Sequence, residues 1–484
     1  MVCAAGCCKG VWHRVLDRRR EILKEERMMK KGMETAKTTN MTEGPTLPLL
    51  LSFAIPLMIG NIFQQIYNLA DTVIAGRFLG EEAIAAIGAV SAIYFLLMNA
   101  TWGLNNGYCI VLSRYFGAGD EKRFKKAVAA MILLNLSISV VLTVFSLSFL
   151  KPLMRMLHTP DDIFAQSYLY IAIILAGLVT TVAYNACAGY LRAMGNSKIP
   201  LYFLIFSSLL NLTLDVLFIV VMKSGIGGTA LATVIAQAVS ALLCGGYIFR
   251  KYKEYIPEKT DFRPEADLLQ EMFSMGFSMA LMQAVYSVGS VILQRAINNL
   301  GTAVITAHTA STRIREMIML PMGAFSGAGS TFVGQNYGAR KYDRIVEGIR
   351  KVIGMELVWS LISICLSWLF GRMIVIWMTG TTDESVIANA LLNLKVSAVC
   401  FFPLGVLFVL RNSMQAMGHK ILPVLSSSIE LGVKVLSAAV IVPAVGYPGV
   451  VAAEPVTWCL CAVFLSVFYV TIGHQKQRNR VFPA

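Results

Sequence analysis

The chain has 484 residues, 56% of them hydrophobic and only 14% charged, with a mean hydropathy of +0.65. Soluble domains carry about 25% charged residues, so a water-soluble enzyme or binding domain is excluded and a polytopic membrane protein remains. The net charge of +14 would suit nucleic acid if it formed one patch, but it is split into short clusters between apolar stretches.

In chain order, residues 1–44 form a polar, basic extension containing Cys3, Cys7 and Cys8 and lacking the apolar run of a secretory signal. Lys24-Glu25 ahead of Met28 and Met29 reads as the coding trace of a ribosome-binding sequence, so part of the extension is expected to be untranslated in the native protein. Twelve apolar stretches follow, each meeting the roughly 20 residues that a span needs. The first six are 48–76, 85–113, 124–149, 164–191, 197–222 and 227–249. The second six are 267–296, 303–333, 345–371, 386–413, 420–445 and 447–473. The expected organisation is an all-α membrane protein: a first lobe over 45–250, a linker over 251–266, a second lobe over 267–473 and a tail over 474–484. The cysteines within spans (Cys109, Cys187, Cys244, Cys365, Cys400, Cys459 and Cys461) show no metal or disulfide spacing and read as packing residues.

The basic clusters fall on alternate connections. One comprises Arg114, Lys122, Arg123, Lys125 and Lys126, another Arg250, Lys251, Lys253, Lys259 and Arg263, and a third Arg340, Lys341, Arg344, Arg350 and Lys351. By the positive-inside rule these connections and both termini are cytoplasmic, in a multi-pass protein of the plasma (inner) membrane.

The chain is written twice. At an offset of 221, Leu79-Gly80 meets Leu300-Gly301, Gly117-Ala118 meets Gly338-Ala339 and Arg123 meets Arg344. At an offset of 223, Ala193-Met194-Gly195 meets Ala416-Met417-Gly418 and Pro200 meets Pro423. Six spans per copy place both copies in one orientation, related by an axis along the membrane normal with a cavity between them. Gly117 and Gly338 are expected to serve sharp turns. Pro56 is a candidate bend in the first span, because a helix-interior proline removes a backbone hydrogen bond.

Two acids stand out within the first copy. A carboxylate in a spanning helix costs roughly 2.5–3.5 kcal/mol on insertion scales, and this copy carries Asp71 and Asp215. Tyr67 precedes Asp71 by four residues and Asn211 precedes Asp215 by four, so each pair shares a helix face. Counting from the turns at 1.5 Å per residue sets Asp71, Asp215, Thr233 and Tyr170 at similar depth, with Asn185 and Asn211 one to two turns lower. If all face inward, the oxygen-bearing groups of Asp71, Asn185, Asn211, Asp215 and Thr233 converge. Such a set suits Na⁺, a hard cation, or a proton shared by two carboxyls, and the residues leave that choice open.

These features resemble the multidrug and toxic compound extrusion (MATE) family, in the branch named after DinF. The resemblance spans about residues 45–475. It rests on Asp71-Thr72 with Gly80, on Ala193-Met194-Gly195 and its echo at 416–418, on the stretch from Asn211 to Asp215 and on the run from Gly227 to Thr233. It implies two six-helix lobes arranged as a V, and efflux of cationic or amphipathic compounds driven by inward Na⁺ or H⁺. The implied coupling residues are Asp71, Asn185, Asn211, Asp215 and Thr233, with Asp71, Asn211 and Asp215 holding Na⁺ if Na⁺ is the coupling ion. The implied substrate contacts are Tyr67, Tyr170 and Gln283. The implied cycle is alternating access, in a monomer with no cofactor and no partners beyond substrate and lipid.

One departure stands out. Where the other branch of the family keeps carboxylates in spans 7 and 10, this chain has Gln283 in the former and Pro403 and Lys395, but no acid, in the latter. The second copy's charges (Arg313 and Glu316, Glu430 and Lys434, Glu454 and Lys395) are expected to be structural pairs, with gating or substrate contact as the alternative. The rival function is a lipid or lipid-linked sugar flippase, which would want a strongly cationic cavity. A membrane enzyme is disfavoured, since the sequence has no metal-ligand cluster, nucleophile elbow or phosphate loop.

Overall fold

A computed structural model describes residues 40–263 and 265–481. The early cysteines, the proposed late start and Pro264 lie outside the described residues. The first lobe comprises α1 (Thr46–Leu79), α2 (Glu81–Gly117), α3 (Glu121–Met156), the bent pair α4 (Asp161–Ala176) and α5 (Leu178–Ala193), α6 (Lys198–Val216) and α7 (Gly225–Lys251). The second comprises α8 (Ala266–Asn298), α9 (Thr302–Gly338), α10 (Tyr342–Leu369), a short α11 (Gly371–Thr379), the bent pair α12 (Glu384–Val399) and α13 (Phe401–Ala416), α14 (Ile421–Leu436), a single turn α15 (Val442–Val445) and α16 (Tyr447–Val481). Among the described residues, ten helices are long and apolar enough to span, and each bent pair supplies one more, which gives the expected twelve.

Two spans, one in each lobe, are bent. In the second lobe the bend is 52° at Cys400. Pro403 offers no N–H to the Val399 carbonyl, and the helix breaks there. In the first lobe the bend is 44° at Gly177, where a Cβ would lie 2.3 Å from Val234. Glycine lets α7 press into the elbow. A π-helical turn, Leu217–Val221, follows α6, and its counterpart Ser437–Ile441 follows α14. The repeat thus extends to irregularities the sequence did not announce. Pro56 lies within α1, which continues past it as one helix.

Gly117 and Gly338 do not make the turns. Positive φ falls instead on Gly119 (68°) and Arg340 (57°). The two glycines mark a crossing of α2 and α9: a Cβ on Gly117 would lie 2.4 Å from the Gln335 Cα, and one on Gly338 1.9 Å from the Arg114 carbonyl oxygen. Further along α2, Gly107 meets the Gly276 backbone and Gly103 that of Ala280, both on α8. Without a hydrophobic drive inside lipid, such small-residue contacts let helix backbones close on one another.

These crossings lie at or toward the end of the molecule that carries the basic clusters. Both apolar cores there draw on both lobes: one joins Leu50, Phe53 and Ile110 to Phe332, Phe401 and Leu410, the other joins Tyr108 and Phe124 to Leu268, Met272 and Met275. The four cores toward the opposite end each draw on a single lobe. Ion pairs reinforce the basic-end seam, with Arg114 to Glu271 at 3.0 Å and Lys126 to Glu265 at 2.6 Å. A strap, residues 41–44, is laid into it. The Met41 amide donates to Gln335 Oε1 at 2.9 Å, its carbonyl accepts from Asn336 and Arg344, and Lys341 and Arg344 hold the carbonyls of Thr42 and Gly44. Met41 itself is fully buried. The lobes are therefore joined at the basic end, and no core among the described residues joins them at the other.

Candidate functional site

The first-lobe constellation forms within a single lobe. Asp71 on α1 and Asp215 on α6 bring their carboxyl groups into hydrogen-bonding reach of each other. Asp215 is fully buried and Asn211, one turn earlier on α6, is nearly so. The Asn211 amide is oriented by its surroundings. Its nitrogen donates to the Tyr67 hydroxyl at 3.1 Å and to Asp215 Oδ2 at 3.0 Å, and its oxygen faces the Thr233 amide and hydroxyl at 3.0 and 3.3 Å. Thr233 Oγ1 sends its own hydrogen to the Thr229 carbonyl at 3.1 Å. Tyr170 on α4 lies within electrostatic range of both aspartates.

Asn185 enters differently from expectation. Its backbone carbonyl accepts from Asn105 Nδ2 at 2.9 Å, and its side chain makes no hydrogen bond among the described residues. Asn105 in turn accepts from Asn135 at 3.4 Å. No hydrogen bond among the described residues joins this asparagine link to the carboxyl pair. Gln283 is not part of the first-lobe set. It lines the space between the lobes.

Two consequences follow from this geometry. Two carboxylates in contact repel strongly in a medium of low dielectric, so the pair is held together by a proton or a cation. One oxygen of each, Asp71 Oδ1 and Asp215 Oδ1, is buried with no hydrogen-bond donor. Buried acceptors are normally satisfied, and two orphans on adjacent carboxyls make a receptive site for a small cation or H⁺. The residues present therefore fit either coupling ion. Among the described residues there is no cluster of three or more His, Cys, Asp or Glu that would hold a resident metal.

Sequence reasoning missed Tyr94, which approaches both Asp71 and Tyr67. The repeat offset carries a signal for it, because Tyr94 plus 221 is Arg315, a charge within a span. It also missed Glu356 on α10, which is fully buried against Gly405 with both carboxyl oxygens lacking hydrogen bonds. The criterion that picked Asp71 applied to it equally.

The second lobe's charges pair among themselves, in a different pattern from the one expected. Glu454 pairs with Arg315 and not with Lys395. Lys395 sits over the Trp368 ring at 5.0 Å, because α12 carries it away from α16 toward α10. Glu430 lies between Lys434, at 3.3 Å, and Arg411, at 3.5 Å. Arg313 and Glu316 form the expected pair at 3.4 Å, both half or more exposed. Arg315, Arg411, Glu430 and Glu454 line a cavity of about 210 Å³. Next to it, sharing Met282, Gln283, Phe408 and Arg411, lies a cavity of about 370 Å³ between the lobes.

A membrane fold of two like-oriented six-span lobes, with a carboxyl pair in one and a cavity between them, defines a transporter of the alternating-access class. The MatE family model matches residues 56–217 and again 278–440, once per lobe, and the chain belongs to this family. Its sequence is 26% identical over 463 residues to the probable multidrug resistance protein YoeA of Bacillus subtilis, covering 93% of this chain and all of that one. It is 28% identical to the probable multidrug resistance protein YpnP of the same organism, covering 79% of this chain and 85% of the relative. A solved MATE structure in a bent conformation superposes with a TM-score of 0.83 at 21% identity, covering 91% of this chain and 98% of the other.

Proposed function

We propose that the protein is a secondary antiporter that exports drugs and other toxic amphipathic compounds, driven by inward Na⁺ or H⁺ that binds the Asp71–Asp215 pair. The observation that carries this reading is the contact between the carboxyls of part-buried Asp71 and fully buried Asp215, each with a buried orphan oxygen, inside one lobe of a two-lobe transporter fold. Membership in a family whose named relatives are multidrug resistance proteins supports the export direction.

The basic end faces the cytoplasm, as the positive-inside rule requires. The lobes are sealed there and separate at the other end, so this conformation faces outward. An ion entering from outside reaches the carboxyl pair, which Asn211 steadies through its hydrogen bond to Asp215, with Thr233 orienting Asn211 and Tyr67 and Tyr170 close by. Occupancy removes the repulsion between the carboxyls and lets α1 and α6 pack more closely. Coupling needs only that ion and substrate favour different members of a bistable pair of states. The seam ion pairs and the strap must part for the inward-facing state to form. A flippase reading is not favoured, since the named relatives are multidrug resistance proteins.

The test is dye efflux from inverted vesicles with Na⁺ and pH gradients imposed separately, for wild type and Asp215→Asn. Wild-type efflux under one gradient, lost in a well-expressed variant, establishes the antiporter and names its ion. Full efflux in Asp215→Asn would sink the coupling role of the pair.

A further inference from the structure

The cavity between the lobes carries charge of one sign. At about 370 Å³ it lies in the size range of sites for small organic ligands. Among the described residues that line it, the charged ones are Arg192 and Arg411, and none is acidic. Arg192, at the end of α5, makes no ion pair or hydrogen bond among the described residues. Arg411 donates from Nε to Ser426 at 3.1 Å, while its buried Nη2 has no hydrogen bond. The Glu430 carboxylate, 3.5 Å from Nη2, is shared with Lys434, so Arg411, Lys434 and Glu430 together leave one positive charge over. Trp102, Phe408 and Met282 give the cavity apolar walls.

Resting on the antiporter reading, we propose that this cavity recognises an anionic group, a carboxylate, sulfonate or phosphate, on an amphipathic molecule whose apolar body packs against Trp102 and Phe408. The substrate class is thereby narrowed to amphipathic acids and zwitterions. Guanidinium groups present a planar donor fork that matches such oxyanions. Among the described residues, two of them line one space, Arg192 unpaired and Arg411 with a buried Nη2 lacking a hydrogen bond, and no acid on the wall of this cavity answers them. A simple organic cation would meet two like charges there. A zwitterion satisfies the arginines with its acidic end and leaves its cationic end to the wider opening.

The experiment uses the purified protein in nanodiscs and three probes that share one body: pyrenebutyrate, pyrenebutyramide and pyrenebutyl-trimethylammonium. Fluorescence anisotropy, corrected with empty nanodiscs, reads their affinities. The acid is expected to bind about tenfold more tightly than the amide, the scale of one charge-assisted hydrogen bond, and more tightly still than the ammonium. Arg192→Gln and Arg411→Gln should each remove most of that preference while leaving the amide unchanged, and Arg192→Lys should retain part of it. Repeating the titration in phosphatidylcholine and phosphatidylglycerol discs separates the sources of the anion. Indifference to lipid assigns the site to soluble acids, and competition by the anionic lipid that disappears in Arg192→Gln assigns it to a lipid phosphate. Equal wild-type affinity for acid and amide, or tighter binding of the ammonium, overturns the proposal. Binding that shows the acid preference in a protein that transports nothing under any gradient would refute the antiporter reading and leave this one intact.

Discussion

Matched through the repeat, Tyr94, Thr233 and Asn211 of the first lobe fall on Arg315, Glu454 and Lys434 of the second, at offsets of 221, 221 and 223. The helices that carry them correspond element for element. In the first lobe these positions surround two acids that no cation among the described residues pairs with. In the second they hold charges that answer each other: Arg315 with Glu454, and Lys434 with Glu430. One fold thus keeps polar groups inside a membrane in two ways. A carboxyl pair short of a partner is receptive to an ion, whereas the second-lobe charges satisfy most of one another, with one positive charge left over among Arg411, Lys434 and Glu430. The lesson is that an internal duplication can fix architecture in both copies while the polar groups inside diverge, the first copy holding a carboxyl pair and the second a set of ion pairs beside the lone buried acid Glu356.

The comparison can be broken most decisively at the first lobe. Asp71→Asn and Asp215→Asn should each reduce gradient-driven efflux to background while leaving thermal stability near that of wild type, because an amide fits the same space without titrating. A cooperative loss of folding in either variant, read by thermal unfolding in detergent, would move the pair into the structural class. Next in size is Arg315→Met, which leaves Glu454 buried without its partner and should cost roughly 3–5 kcal/mol of stability. The double variant Arg315→Met/Glu454→Leu should recover most of that loss, since replacing both members of a buried pair is often neutral. If the double variant folds but no longer transports, the second-lobe cluster has a role beyond pairing. Arg313→Ala should have the smallest effect, under about 1 kcal/mol, as expected for an exposed pair.

Much of this was legible beforehand. The span count, the duplication and the facing of Asp71 and Asp215 follow from length, offset and helical period, which survive in any sequence that must cross lipid. Asn211 met Asp215, and Tyr67 and Thr233 met Asn211, because spacing of four residues and equal depth are geometric facts. What was not legible depended on tertiary direction. Asn185 lay at the right depth but offers its backbone to Asn105. Glu454 chose Arg315 over Lys395 because helix rotation, which periodicity alone leaves undetermined, turned Lys395 toward Trp368. Gly117 and Gly338 were misread because a glycine near a turn suggests the turn, while a close helix crossing leaves no local trace.

The strap at residues 41–44 has a practical consequence. It belongs to the first lobe by chain connection and to the second by its hydrogen bonds to Gln335, Asn336, Lys341 and Arg344. The covalent chain is therefore moored on both sides of the joint that alternation must open. A fluorophore attached at Asn40 would sit at that joint, and its polarity-sensitive emission would give a real-time signal of each turnover. The same mooring means that a bulky fusion placed there adds load to the moving part, so tags for purification belong elsewhere.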